Sequence, residues 1–352
     1  MTVNASSMQR RLEAARNVAI AAITSDTCLY IIKRILQGLA TLILASALSF
    51  AIIQLAPGDY LDKLEQNPQI SQETLDAFRL RFGLDRHPIE QYGLWLWQIV
   101  SKGNFGESFA YQRPVADLLW ERIPNTLLLS ISSLTVVWAI AIPLGIIGAV
   151  NQNRWFDRVL RILSYAGQGF PSLIAALLLL FFAQNTVPLF PVGNMTSIYH
   201  DDLSPIGKII DIGWHMILPT LALSVTSFAG LQRLTRGQLL DVMRQDYIQT
   251  ARAKGLPENR VIYVHALRNA VNPLITILGF EFASLLSGAF IAENIFNWPG
   301  LGKLILQAVQ DQDLYLVMAS LMMGAVMLVL GNLLADLLLK FVDPRIKLGA
   351  ND

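Results

Sequence analysis

Residues able to do chemistry are thinly spread along this chain. His87, His200, His215 and His265 stand far apart, and Cys28 is the single cysteine. Neither a metal-ligand spacing nor a disulfide framework can be read from them. A phosphate-cradling Gly-x4-Gly-Lys-Ser/Thr is missing: Gly207-Lys208 and Gly302-Lys303 run into Ile209 and Leu304 and lack the upstream glycine. ATP hydrolysis by the chain itself, catalytic residues and a resident cofactor are therefore not expected. Two features remain. Glu281 sits midway along the apolar stretch 271–295. An ionisable group at membrane depth costs at least about 2.5–3.5 kcal/mol unless it faces a pore or a partner. Glu281 thus faces a pore or makes a buried hydrogen bond at a subunit interface. Glu293 and Asp336 lie near the ends of apolar runs, where hydration would relax the cost, and read as structural.

The second feature is the charged segment 233–268. Leu240, Met243, Tyr247 and Ala251 recur at three- and four-residue steps as one apolar stripe, with Arg244, Gln245 and Arg252 on the other faces. Lys254-Gly255-Leu256-Pro257 is a helix stop, and a second short helix is expected from about 260 to 268. The pattern predicts a basic helix–turn–helix projection. Small residues at its turn, Ala251, Ala253 and Gly255, would let another backbone approach closely, as a protein-docking element needs.

The elements that hold these features are set by composition. The 352 residues are 53% hydrophobic and 15% charged, with a mean hydropathy of +0.46. That is far less charge than a soluble domain carries, and too hydrophobic for disorder. The 27 basic and 26 acidic residues give no general attraction to nucleic acid. About 20 apolar residues cross a bilayer as a helix. Six continuously apolar runs meet that need, without the alternation of barrel strands, at about 35–56, 124–150, 160–183, 212–232, 271–295 and 314–338. Pro143, Pro171 and Pro219 fall inside such runs and can kink them. The expected fold is all-α and integral to the membrane, with the membrane-spanning body over 35–340.

Orientation follows from Lys and Arg. With both termini cytoplasmic, the inner segments hold five in 1–34, three in 151–161, seven in 233–268 and three in 340–352. The two short outer loops hold one each, and the long outer segment 57–123 holds seven, where the bias weakens. Trp120, Trp155, Trp214 and Trp298 fall at the ends of runs, as an interfacial belt would place them. Residues 1–34 are then a cytoplasmic extension and 341–352 a cytoplasmic tail. In the outer segment, Gln72–Phe82 has Leu75, Phe78 and Phe82 at helical spacing with Gly83 as its stop. Tyr92–Val100 is apolar but too short to span. The segment reads either as a docking surface or as a cap over the bundle.

At this point the residues resemble a known family. Asp246-Tyr247-Ile248-Gln249-Thr250-Ala251-Arg252-Ala253-Lys254-Gly255-Leu256, followed by His265-Ala266-Leu267-Arg268-Asn269-Ala270, is similar to the cytoplasmic loop of binding-protein-dependent ABC importer permeases. Within that family it resembles the dipeptide/oligopeptide/nickel group. Ala56-Pro57-Gly58-Asp59, Phe82-Gly83-Leu84-Asp85, Gly103-Asn104-Phe105-Gly106-Glu107-Ser108, Arg122-Ile123-Pro124-Asn125-Thr126, Asn297-Trp298-Pro299-Gly300-Leu301-Gly302 and Asp343-Pro344-Arg345 support it in order over about 30–347. Gln249-Thr250-Ala251 replaces the general Glu-Ala-Ala, and His265-Ala266-Leu267-Arg268 stands where Ile-x-Leu-Pro would be. No single carboxylate is therefore expected to make the contact.

The resemblance implies half of a bacterial inner-membrane, multi-pass importer. Its partners would be a second homologous permease, two ATP-binding subunits, a periplasmic substrate-binding protein and membrane lipid. Tyr247, Thr250, Ala251, Arg252, Ala253, Lys254, Gly255 and Leu256 would form the ATPase-coupling loop. The cargo would be peptide, or nickel with its ligands on the binding protein. The alternative is a secondary transporter or channel not coupled to ATP, but no repeat of matching broken helices supports it.

Overall fold

A computed structural model describes residues 26–55, 58, 60–65, 70–186 and 189–342. Residues 1–25 of the expected extension, the Ala56-Pro57 turn and the tail from Asp343 lie outside them. The chain enters as α1 (Asp26–Leu55) and continues into three shorter helices, α2 (Tyr60–Glu65), α3 (Gln72–Phe82) and α4 (Pro88–Lys102). Next come α5 (Val115–Val150), α6 (Trp155–Gly169), α7 (Ser172–Asn185) and α8 (Pro205–Met243). A charged excursion follows as α9 (Asp246–Ala253), α10 (Glu258–Arg260), a π-helical stretch Val261–Ala266 and α11 (Leu267–Ala270). The chain closes with α12 (Asn272–Ile295), α13 (Leu301–Gln310) and α14 (Leu314–Val342). Among the described residues the only sheet-like pairing is an isolated bridge between Glu107 and Pro114.

Four stretches, beginning at Tyr30, Val115, Pro205 and Leu314, are long and apolar enough to cross a bilayer, and α6 with α7 would make a fifth. The run at 160–183 bends where Pro171 was expected to kink it, with α6 and α7 meeting at 102°. Pro171 has no N–H to continue the ladder and disfavours helical backbone in the residue before it, so Phe170 is extended at φ −90°, ψ 118°. Pro143 and Pro219, by contrast, sit inside unbroken α5 and α8. α8 is also longer than expected. It runs 39 residues, so 233–243 continues that helix and the excursion begins only after it.

α5 packs along α8 through small residues. A Cβ on Gly145 would stand 2.6 Å from Thr235 Cβ and 2.9 Å from Gln232 O, so no side chain fits between the helices. The segment between α1 and α5 forms a cap: Phe82, Trp95, Phe109, Val115 and Leu118 share one core with Leu301, Leu304 and Leu314. α3 starts where Ser71 Oγ accepts the Thr74 N–H at 3.2 Å, and it stops at Gly83 with φ +65°. The segment is tied down by Asp313, whose carboxylate accepts Ser108 Oγ at 2.6 Å and the Ala110 N–H at 3.0 Å. On α4, Trp95 faces this core while Ile89, Trp97 and Val100 point outward.

Two expectations fail around Asn297-Trp298-Pro299-Gly300. Glu293 is fully buried, so hydrogen bonds rather than hydration meet its cost. Its Oε1 accepts Thr126 Oγ1 at 2.6 Å and its Oε2 accepts the Lys303 N–H at 3.1 Å, capping the start of α13. Trp298 is also fully buried and donates from Nε1 to Asn125 O at 3.0 Å, so it belongs to the core rather than to an interfacial belt. Trp120, Trp155 and Trp214 are exposed. A Cβ on Gly300 would fall 2.1 Å from Glu293 Oε1. Gly300→Ala is therefore expected to cost about 1–3 kcal/mol by overpacking, read as a lower unfolding temperature of the detergent-solubilised protein.

Candidate functional site: a docking turn and the polar node beside it

The excursion between α8 and α12 is a packed unit. Ile248 and Ala251 of α9, Val261 and Ala266 of the π stretch and Ala270 are buried together against Leu239 and Leu240 of α8 and Ile146 and Ala149 of α5. Its turn is built as the sequence suggests. Gly255 takes φ +74°, its N–H donates to Arg252 O at 2.9 Å, and the Leu256 N–H donates to Ala251 O at 3.3 Å. Across the turn, Arg252 holds Glu258 through Nη2–Oε1 at 2.7 Å and Nε–Oε2 at 3.2 Å. This hydrogen bond holds the Glu258 carboxyl below the usual carboxylate range. Solvent screens such a surface pair, and its main effect is to fix the turn's shape.

The expected stripe is corrected at one point. α8 ends at Met243, and the Arg244-Gln245 corner rotates the next helix, so Ile248 faces inward and Tyr247 outward. Tyr247 Oη accepts Asn269 Nδ2 at 2.8 Å, which ties α9 to α11. Of the eight sequence-selected residues, Tyr247, Thr250, Ala253, Lys254 and Gly255 are exposed. Arg252 and Leu256 are half-buried, and Ala251 faces the unit's own core. Ala253 and Gly255 thus form the exposed small-residue corner, and Ala251 does not. The sequence reading omitted Tyr263 and Val264, two exposed apolar residues on the π-helical stretch. Such stretches recur at functional sites, but three- and four-residue periodicity does not detect them.

Beside this unit, where α5, α6 and α8 meet, lies a polar node for which the sequence carried no signal. Asp157 is fully buried and receives Arg236 of α8 in a two-pronged contact, Nε–Oδ1 at 2.6 Å and Nη2–Oδ2 at 2.8 Å. The Asn153 N–H adds a bond at 2.8 Å. One turn further, Gln232 Oε1 accepts Ser164 Oγ at 2.6 Å, and Gly148 lies against both Asp157 and Gln232. Both carboxylate oxygens of Asp157 are thus occupied by donors from outside its own turn, which is what a buried charge requires.

Elsewhere the structure joins residues that the sequence left scattered. His200 Nδ1 lies 2.7 Å from Asp211 Oδ2, and His215 Nδ1 meets Asp211 O at 2.8 Å. Among the described residues no group of His, Cys, Asp and Glu could hold a metal ion. Glu281 is half-buried and hydrogen-bonded with Ser227 of α8, while its Oε2 has no partner.

Removing the guanidinium would leave Asp157 buried without its main partner. Arg236→Ala is expected to destabilise the protein by about 3–5 kcal/mol, as broken buried pairs do. Asp157→Ala added to it should recover part of that loss, because no stranded charge remains. Unfolding temperatures of the two detergent-solubilised variants check the order.

Comparison with known proteins agrees with this geometry. The family described as "Binding-protein-dependent transport system inner membrane component" matches residues 141–348, and its N-terminal companion matches 28–130. The oligopeptide transport system permease protein AppB of Bacillus subtilis (strain 168) is 40% identical over 319 residues, covering 90% of this chain and 99% of that protein. The dipeptide transport system permease protein DppB of Escherichia coli (strain K12) is 34% identical over 334 residues, covering 90% and 98%. The glutathione transport system permease protein GsiC of the same strain is 35% identical over 323 residues, with the same coverage. Among solved structures, a chain of the inward-facing MetNI methionine ABC transporter superposes with a TM-score of 0.53 at 15% identity, over 64% of this chain and 97% of that one, which shows a shared fold. The chain belongs to the family of binding-protein-dependent transport system inner membrane components.

Proposed function

We propose that this chain is one membrane half of an ATP-driven importer of short peptides. It would pair with a second permease, receive cargo from a binding protein outside, and seat its 246–256 turn in a cleft of an ATP-binding subunit. The observation that carries this reading is the turn itself. It is an exposed small-residue corner at Ala253 and Gly255, mounted on a rigid core at the end of α8. The names of the relatives favour peptide over nickel as cargo. The Lys/Arg distribution supports six spans, with α12 as the fifth and both termini inside.

Transport would switch the bundle between two arrangements whose balance shifts when ATP closes the partner subunits. In this scheme Glu281, with one carboxyl oxygen unmatched, faces the path and meets the polar backbone or ammonium group of passing peptide.

The turn is tested by Ala253→Trp in the complex purified with its second permease and ATP-binding subunits. A bulky group there is expected to cut co-purification of the ATP-binding subunits at least about tenfold, the effect of about 1.4 kcal/mol, with the chain's own membrane level unchanged. Full co-purification would refute the docking role. For Glu281, uptake of labelled di- and tripeptides by Glu281→Gln and Glu281→Ala is expected to fall severalfold at normal membrane levels. Unimpaired uptake in both variants removes Glu281 from the path.

A further inference from the structure

The node at Asp157 does more than close a gap in the packing. α8 is an uninterrupted helix from Pro205 to Met243, and the docking unit is built on its last turns. Whatever moves the unit therefore moves α8 as a lever. Several contacts join the broken pair α6–α7 to α8, among them the Arg233 guanidinium 5.6 Å from the Tyr165 ring centroid. Asp157 holds Arg236, Ser164 holds Gln232, and Gly167 lies against Ala229, where an added Cβ would stand 3.2 Å from the alanine Cβ. The two polar contacts are fully buried on the Asp157, Ser164 and Gln232 side, and nothing apolar replaces them. Beyond Gly167 the chain bends by 102° at Phe170-Pro171 into α7, whose Ala176 and Ala183 pack with Leu218 and Ala222 in the N-terminal half of α8.

We infer that Asp157 and Arg236 are positioning residues for transport. Their two-pronged contact latches α6 to the lever helix α8, so that displacement of the docking unit is delivered to the broken α6–α7 segment rather than lost as sliding between helices. Released from Arg236, the buried carboxylate keeps, among the described residues, only the Asn153 N–H and the Arg161 Nε at 3.7 Å, so opening the latch is costly. Gly148 packs α5 at ordinary contact distance against Asp157, Gln232 and Arg236, so three helices meet at the node. This inference rests on the importer reading above and adds the route by which motion leaves the docking turn.

The test uses the complete complex in proteoliposomes, with the binding protein, ATP and a labelled dipeptide, in a Cys28→Ser background. Asp157→Asn is expected to keep assembly and ATP hydrolysis within about twofold of the natural complex, while uptake falls at least about tenfold, a loss equivalent to about 1.4 kcal/mol. A purely structural role would lower assembly, hydrolysis and uptake together, and that result overturns the latch. Should Asp157→Asn fail to assemble, Arg236→Lys keeps the charge and gives up the two-pronged contact, and the same split is expected. Next, Gly167→Cys with Ala229→Cys is added to the complex carrying Asp157→Asn. Those positions are close enough for a disulfide, whose Cβ atoms stand about 3.5–4.5 Å apart. Oxidative cross-linking of α6 to α8 is expected to restore uptake, and reduction to abolish it again. Uptake that stays lost with the cross-link formed refutes mechanical latching. Undiminished uptake in Asp157→Asn refutes it directly. A natural complex whose ATP hydrolysis ignores the binding protein would count against the importer reading instead, so the two failures are distinguishable.

Discussion

A carboxylate buried in this molecule must be met by donors of the protein itself, because neither lipid nor apolar core supplies any. Three buried carboxylates show how much depends on that requirement. Asp157 draws α6 onto α8 through Arg236. Glu293 gathers Thr126 of α5 and the first N–H groups of α13 around the end of α12. Asp313 fastens the segment between α1 and α5, through Ser108 and Ala110, to the start of α14. Breaking one partner would strand a charge at a cost of several kcal/mol, so these are the points where helix positions are least negotiable. Apolar side chains fill the space between them and would tolerate sliding that the carboxylates forbid.

The same requirement explains where glycine is needed. Gly300 and Gly302 let the chain pass close over Glu293, and Gly148 lets α5 pass over Asp157 and Gln232. At Gly300 and Gly302 the backbone comes so close to Glu293 that no side chain fits, whereas Gly148 packs at ordinary contact distance. The glycine of the docking turn is used differently. Gly255 has open space around its Cβ position, and its φ of +74° is what the turn requires. One group of glycines therefore serves packing, and the other serves the shape of an exposed corner.

Mechanically, α8 and the α6–α7 pair differ. α8 passes without a break from its N-terminal end into the docking unit, with Pro219 absorbed in its interior. α6 and α7 break at Pro171, yet they stay bound to α8 on both sides of the break. A stiff helix flanked by a jointed one is an arrangement in which a shift at one membrane face can be converted to a different movement at the other.

Much of this was legible in the residues. Continuous apolar runs pointed to the helical membrane class, because a bilayer core accepts little else. The Lys254-Gly255-Leu256-Pro257 stop and the Ser71–Gly83 helix were readable because caps and turns are local chemistry. The Gly255 turn was readable for the same reason, and five of the eight residues selected around it are exposed. Tertiary structure alone decided the rest. It turned Ala251 inward and Tyr247 outward, since the corner at Arg244-Gln245 resets a phase that periodicity carries straight through. It buried Trp298 and Glu293 where a span end suggested hydration, and paired Asp157 with Arg236 across 79 positions. Sequence patterns report what neighbouring residues do to the backbone. Which distant donor answers a buried charge depends on how whole helices pack, and no local pattern carries that information.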